Sequence, residues 1–233
     1  MSKKQILVTA VALMVFGFSL KEVRMAPDLF AQTESQAMDL PAVERKKPGS
    51  FSDLMYQRSS VRNFSRGTIS LEQVSKILFA AQGITRGGNY RTVPSAGALY
   101  PLEVYLAAGQ VQGLEPGVYK YRPKGHRLEP VAKKDRRREL AQEAYGQMWI
   151  AKAQAILVIC GVYERVTGKY GERGRRYVHI EAGCAAQNVS LEGFNIGLGS
   201  TVVGAFSDEG VAGVIEAEDR EKPLVVMPLG LLP

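Results

Sequence analysis

Three short apolar runs, at 103–108, 155–162 and 224–228, constrain the fold most, because each is rich in branched or aromatic residues and bounded by turn formers. They read as sheet strands. The stretches between them follow helical spacing without a strict strand–helix–strand alternation. Ser70 and Gln73 form a capping-box pair ahead of Leu71, Val74, Ile77, Leu78 and Ala81, and Gly83 can end that helix. Further helices are predicted at 135–145, 175–196 and 207–215, with a short helical start at 52–56. Segments 117–121 and 127–131 flank a turn at Pro123, Lys124 and Gly125, which predicts a hairpin. Mixed helices and strands in this order give an α+β domain with a mixed or antiparallel central sheet flanked by helices.

The chain has 233 residues, enough for one domain plus a leader and linker. Lys3 and Lys4 precede an apolar stretch at 6–20, interrupted only by Thr9, Gly17 and Ser19. That is the shape of a signal peptide, although no small-residue cleavage site follows Leu20 and the stretch is short for a membrane span. Residues 1–25 are therefore expected to be an export or anchor segment, with the domain outside the cytoplasm. A buried N-terminal helix in a cytoplasmic protein is the alternative. Residues 26–50, with Pro27, Pro41, Pro48 and Gly49, read as a linker, and the folded domain as 51–233.

Thirty Lys and Arg against 23 Asp and Glu give a formal charge of +7, which suits an anionic ligand or membrane surface. The basic run at 133–138 lacks interleaved aromatics and any nucleic-acid motif, so it reads as a solvated face, and no nucleic-acid partner is expected. Cys160 and Cys184 lie in apolar or small-residue segments without metal-ligand or CxxC spacing. They read as packed thiols, and no metal site is expected.

Three segments can carry chemistry. Arg58, Ser59, Ser60 and Arg62 combine two guanidinium groups with two hydroxyls, donors suited to a phosphate, although an ordinary surface cluster has the same composition. Ser95, Ala96, Gly97 and Leu99 form a small-residue loop before the strand at 103–108, where the backbone can approach a flat ligand or simply turn tightly. Residues 197–206 carry Gly197, Gly199 and Gly204 in a strand-like segment after a long helix. That order is opposite to the strand, glycine turn and helix of a dinucleotide-binding fingerprint.

Five ordered motifs, RSSVRNF at 58–64, AAQGITR at 80–86, PSAGALYPLEVYL at 94–106, KYGERGRRY at 169–177 and GLGSTVVGAF at 197–206, resemble the nitroreductase superfamily. The likeness is strongest to its SagB/ThcOx-type branch of flavin-dependent azoline dehydrogenases. It implies a homodimer with FMN at the interface, its phosphate held by Arg58, Ser59, Ser60 and Arg62. It further implies that Ser95, Ala96, Gly97 and Leu99 approach the flavin from the partner subunit, and that Gly204 and Ala205 present backbone groups to flavin N5 and the pyrimidine side. The basic residue usual near the C-terminus is missing from the closing Leu231, Leu232 and Pro233; Arg86, Arg91 and Arg176 are candidate substitutes.

The resemblance implies hydride transfer through flavin N5, with NADH or NADPH as candidate electron donors and a quinone or nitro compound as small-molecule acceptor. Oxidation of thiazoline or oxazoline rings is the alternative, and it needs a base, for which Lys169 and Tyr170 are the candidates; a plain exposed loop is the competing reading of both. A membrane-tethered protein that keeps the fold without redox turnover is the third reading. His179, on the long helix, reads as structural, and His126, beside Gly125, as exposed.

Overall fold

The computed structural model describes residues 40, 41, 47–88 and 90–233. Glu44–Pro233 form one compact unit, described here by itself. In chain order it comprises α1 (Phe51–Gln57), β1 (Ile69–Ser70), α2 (Leu71–Gln82), β2 (Ile84–Thr85), β3 (Tyr90–Arg91), β4 (Leu102–Ala108) and β5 (Val111–Gln112). There follow β6 (Gly117–Arg122), β7 (Arg127–Lys133), α3 (Arg137–Glu143), β8 (Ala155–Gly161), α4 (Glu164–Tyr170), α5 (Arg173–Asn195), β9 (Leu198–Ser200), α6 (Asp208–Val214) and β10 (Lys222–Leu231).

The main sheet has six strands in the order β7-β6-β4-β8-β10-β9, every neighbouring pair antiparallel. Both faces of its centre are covered, which is why β4 and β8 read as continuous apolar runs rather than alternating ones. Val104, Leu106, Leu157 and Ile159 face one layer with Ile77 and Leu78 of α2 and Val178, Ala182, Ala185 and Val189 of α5. Tyr105, Ala107, Ile156, Val158 and Cys160 face the other layer with Leu140 and Ala141 of α3 and Val211 of α6. The domain is α+β as the sequence indicates.

The structure bears out one local expectation in full and changes others. The capping box of α2 is present in full, Ser70 Oγ accepting from Gln73 N and Gln73 Oε1 accepting from Ser70 N. The last strand is longer than the run at 224–228, reaching Leu231 because its end pairs with Leu198. Segment 197–206 is strand only at β9, after which a single bridge joins Val203 to Val226. Cys160 and Cys184 are both free and sit in opposite layers of the sheet, so no disulfide can join them.

The expected export or membrane anchoring, with the domain outside the cytoplasm, is corrected. No helix among the described residues is long and apolar enough to cross a membrane, and the stretch at 6–20 on which that reading rested lies outside the described residues.

Candidate functional site

The first segment is shaped by the end of α1. Ser50 Oγ accepts from Asp53 N at the helix start, the helix closes with Arg58 N donating to Leu54 O, and the chain then leaves in an extended conformation. It runs beside β9 and lengthens the sheet by one short parallel pairing, Ser60 with Ser200. Val61 N donates to Ser200 O at 2.9 Å, and Thr201 Oγ1 donates to Val61 O at 2.6 Å. A Cβ on Gly199 would lie 2.7 Å from Val61 Cβ, so only glycine permits this approach.

Alternation along the extended segment puts Ser60 and Arg62 on the side opposite Val61. Both are exposed, as is Ser59, whereas Arg58 is half-buried. Arg62 lies over the ring of Trp149 at 5.7 Å. Neither arginine is paired with a carboxylate among the described residues. Two uncompensated guanidinium groups beside hydroxyls suit a phosphate dianion.

The third segment shares this neighbourhood. Beyond the Val203–Val226 bridge, Gly204 and Ala205 are exposed. Ala205 O accepts from Gln147 Nε2 at 3.2 Å, two residues from the Trp149 that Arg62 covers. Nothing lies within 4 Å of where a Gly204 side chain would start, so a planar ligand has room over that backbone.

The second segment forms a separate group. Residues Ala96–Ala98 make a single helical turn, with Gly97 at φ +62° and Ala98 and Tyr100 also left-handed. Ser95 Oγ accepts from Tyr100 N at 2.9 Å, closing the loop. Ser95, Ala96 and Leu99 are half-buried and Gly97 is exposed. Against Gly97 stand the two candidate proton carriers, since a Cβ there would meet Tyr170 Oη at 2.8 Å and Lys169 Nζ at 3.1 Å. Lys169 and Tyr170 are not loop residues. They occupy the last turn of α4, and Tyr170 packs edge-on against Tyr177 at 5.2 Å between ring centres. Arg91 stacks over Tyr100 at 5.0 Å and so belongs to this second group, while Arg86 covers Tyr90.

Two participants carried little sequence signal. Glu181 of α5 is buried, and burial pushes its carboxyl up to about 7 against the opposing pull of Ser95, Gln82 and Arg91. Arg165 of α4 donates to Tyr100 O at 2.9 Å and pairs with Glu103. Its only sequence trace is its position four residues before Lys169, which puts both on one helix face. His126 is exposed as read, held between Ser75 Oγ and Tyr121 Oη, each at 2.7 Å. His179 stacks on Tyr163 and meets its hydroxyl at 2.7 Å, a structural contact.

With this geometry in view, residues 55–231 match the pattern of the nitroreductase family. The chain belongs to the nitroreductase family. It is 43% identical over 197 residues to a nitroreductase-type protein of Methanocaldococcus jannaschii, covering 84% of this chain and 97% of that one. It is 31% identical to the microcin B17-processing protein McbC of Escherichia coli over 191 residues, 74% of this chain and 70% of McbC. A nitroreductase-type crystal structure from Ralstonia eutropha superposes with a TM-score of 0.69 at 27% identity, covering 83% of this chain and 88% of that one. The chain is therefore an oxidoreductase-family protein of the nitroreductase fold, with relatives in the SagB/McbC branch.

Proposed function

We propose that this protein is an FMN-dependent oxidoreductase, acting as a homodimer on a small organic substrate of quinone or nitro type. The observation that carries the reading is the pair Arg58 and Arg62, which meet no carboxylate among the described residues, on a segment fixed to β9 by Val61, with exposed hydroxyls at Ser59 and Ser60. These residues fit the FMN phosphate, and the open backbone at Gly204 and Ala205 fits the edge of a flat ring system. Bound FMN would supply hydride exchange at N5, with NADH or NADPH as electron donor. The protein's own part is to hold the phosphate, orient the ring through backbone donors and acceptors, and bring Ser95, Ala96, Gly97 and Leu99 of the partner subunit over it. Large exposed apolar side chains on α1 and α5, Phe51, Met55 and Ile180, support burial of those helices against a second copy.

Azoline oxidation is the second reading, favoured by one observation. Lys169 and Tyr170 stand together over Gly97, where a free amine or a phenolate can take a proton from a substrate seated on the loop. The experiment that separates these readings follows the visible flavin absorbance of the FMN-loaded protein. Bleaching by NADH or NADPH and recovery with a quinone support the general reductase. Bound FMN that neither nucleotide bleaches, but a thiazoline-containing peptide does, supports the azoline role, and failure to take up FMN overturns both.

A further inference from the structure

The loop at 95–100 is held in a conformation that its own sequence does not favour. Ala98 and Tyr100 both adopt left-handed backbone angles, φ +54° and +47°, and neither is glycine. Such a conformation is unfavourable for a residue with a Cβ and persists only when its surroundings over-determine it. At Tyr100 the surroundings can be named. Its N–H is taken by Ser95 Oγ at 2.9 Å, and its carbonyl accepts from Arg165 Nη1 at 2.9 Å. The next residue is fixed as well, Pro101 O accepting from Val162 N at 2.8 Å.

The second arm of the same guanidinium pairs with Glu103, which is mostly buried at the start of β4 and lies 3.8 Å from the buried Lys120. One planar fork thus spans from the strained loop to the sheet, and a lysine cannot make both contacts. Arg165 sits one turn before Lys169 on the same face of α4, and Lys169 and Tyr170 reach Gly97 at the loop's crest. A rotation of α4 or a relaxation of Tyr100 would therefore change the separation between Gly97 and the two groups above it.

We infer that Arg165, braced by Glu103, is a positioning residue that locks the strained 95–100 loop and sets the height of Lys169 and Tyr170 above Gly97. It touches none of the reacting atoms. This rests on the proposed flavin chemistry only for its effect on turnover, whereas the loop lock is a property of the protein alone.

The test uses the full chain with Arg165→Ala, Arg165→Lys and Glu103→Gln, checked first for an unchanged far-UV spectrum. Glu103→Gln serves if the alanine variant fails to fold, since it keeps the Tyr100 contact and loosens only the brace. Amide exchange is read in FMN-free protein. Loss of a charge-assisted hydrogen bond should speed exchange in the 97–100 amides about tenfold or more in Arg165→Ala, and less in Arg165→Lys and Glu103→Gln. The core amides of β8 should stay unchanged. In FMN-loaded protein, kcat should fall about tenfold with KM for the acceptor moving far less, the pattern of a lost transition-state alignment. Exchange in 97–100 that stays within twofold of the parent would overturn the lock. A faster loop with unchanged kcat would overturn the positioning role, and failure of the parent chain to bind FMN would strike the function proposal while leaving the exchange result to stand.

Discussion

Val61 and Ser200, 139 residues apart in sequence, pair through a 2.9 Å backbone hydrogen bond that makes the arginine-serine segment an extra edge of the main sheet. Arg58 and Arg62 are thereby fixed relative to Gly204 and Ala205, which follow Ser200 by a few residues. The proposed phosphate clamp therefore draws its rigidity from the sheet rather than from the loop.

Gly199 is the residue that permits this pairing. Gly199→Ala sets a Cβ 2.7 Å from Val61 Cβ, a backbone-anchored collision that no rotamer relieves. The expected cost is about 1–3 kcal/mol of stability, with a several-fold weaker FMN affinity as the 58–62 segment is pushed outward. Thermal unfolding and flavin titration of the variant check both.

Glu181 makes stability depend on pH. Its folded-state value of about 7 lies above the ordinary 4.5, so the folded protein binds a proton more tightly than the unfolded chain. Its contribution is full below about pH 4.5 and is lost as pH rises through 7, a change of about 3 kcal/mol by linkage. Glu181→Gln should flatten that part of the Tm-versus-pH curve. An unchanged slope between pH 4.5 and 7 would show that another group is responsible.

Lys120 carries a buried charge through the sheet. It pairs with Glu221, which also accepts from Tyr105 Oη, and with Glu218 and Glu103. Lys120→Met leaves Glu221 buried beside a neutral phenol and should cost about 3–5 kcal/mol. The double variant Lys120→Met, Glu221→Gln should recover part of that loss, and a chemical denaturation series reads the difference.

Much of the layering was legible because both faces of β4 and β8 are buried, leaving uninterrupted apolar runs, and because Ser70 and Gly83 mark the two ends of α2. The chemistry-bearing segments were legible one at a time. Their grouping was not, since nothing local in Val61 or Gly199 states that they touch across 138 residues. The charged neighbours Glu172 and Arg173 give the stretch around Lys169 and Tyr170 the look of an exposed loop, whereas α4 forms there through tertiary packing of Val166. Arg165 was not legible, because a lone arginine on a short helix has no composition signal and its partners, the Tyr100 carbonyl and Glu103, are 65 and 62 residues away. The buried acid Glu181 was masked by its small neighbours Ala182 and Gly183.

Gly97→Ala should separate the loop from the proposed proton carriers Lys169 and Tyr170. The added methyl meets Tyr170 Oη at 2.8 Å and Lys169 Nζ at 3.1 Å, at a position already left-handed. The side-chain ends can move aside, so stability should fall by only about 1 kcal/mol. Turnover should drop more than FMN affinity, which steady-state kinetics beside a flavin titration measures.

The most direct test of the account is a titration of flavin-free protein with FMN, read by quenching of flavin fluorescence, in the parent chain and in the Arg58→Ala, Arg62→Ala double variant. The account predicts saturable uptake by the parent and an affinity at least about a hundredfold weaker in the variant, as expected for the loss of two charge-assisted phosphate contacts. No saturable uptake by the parent, or equal affinity in the two proteins, would contradict it.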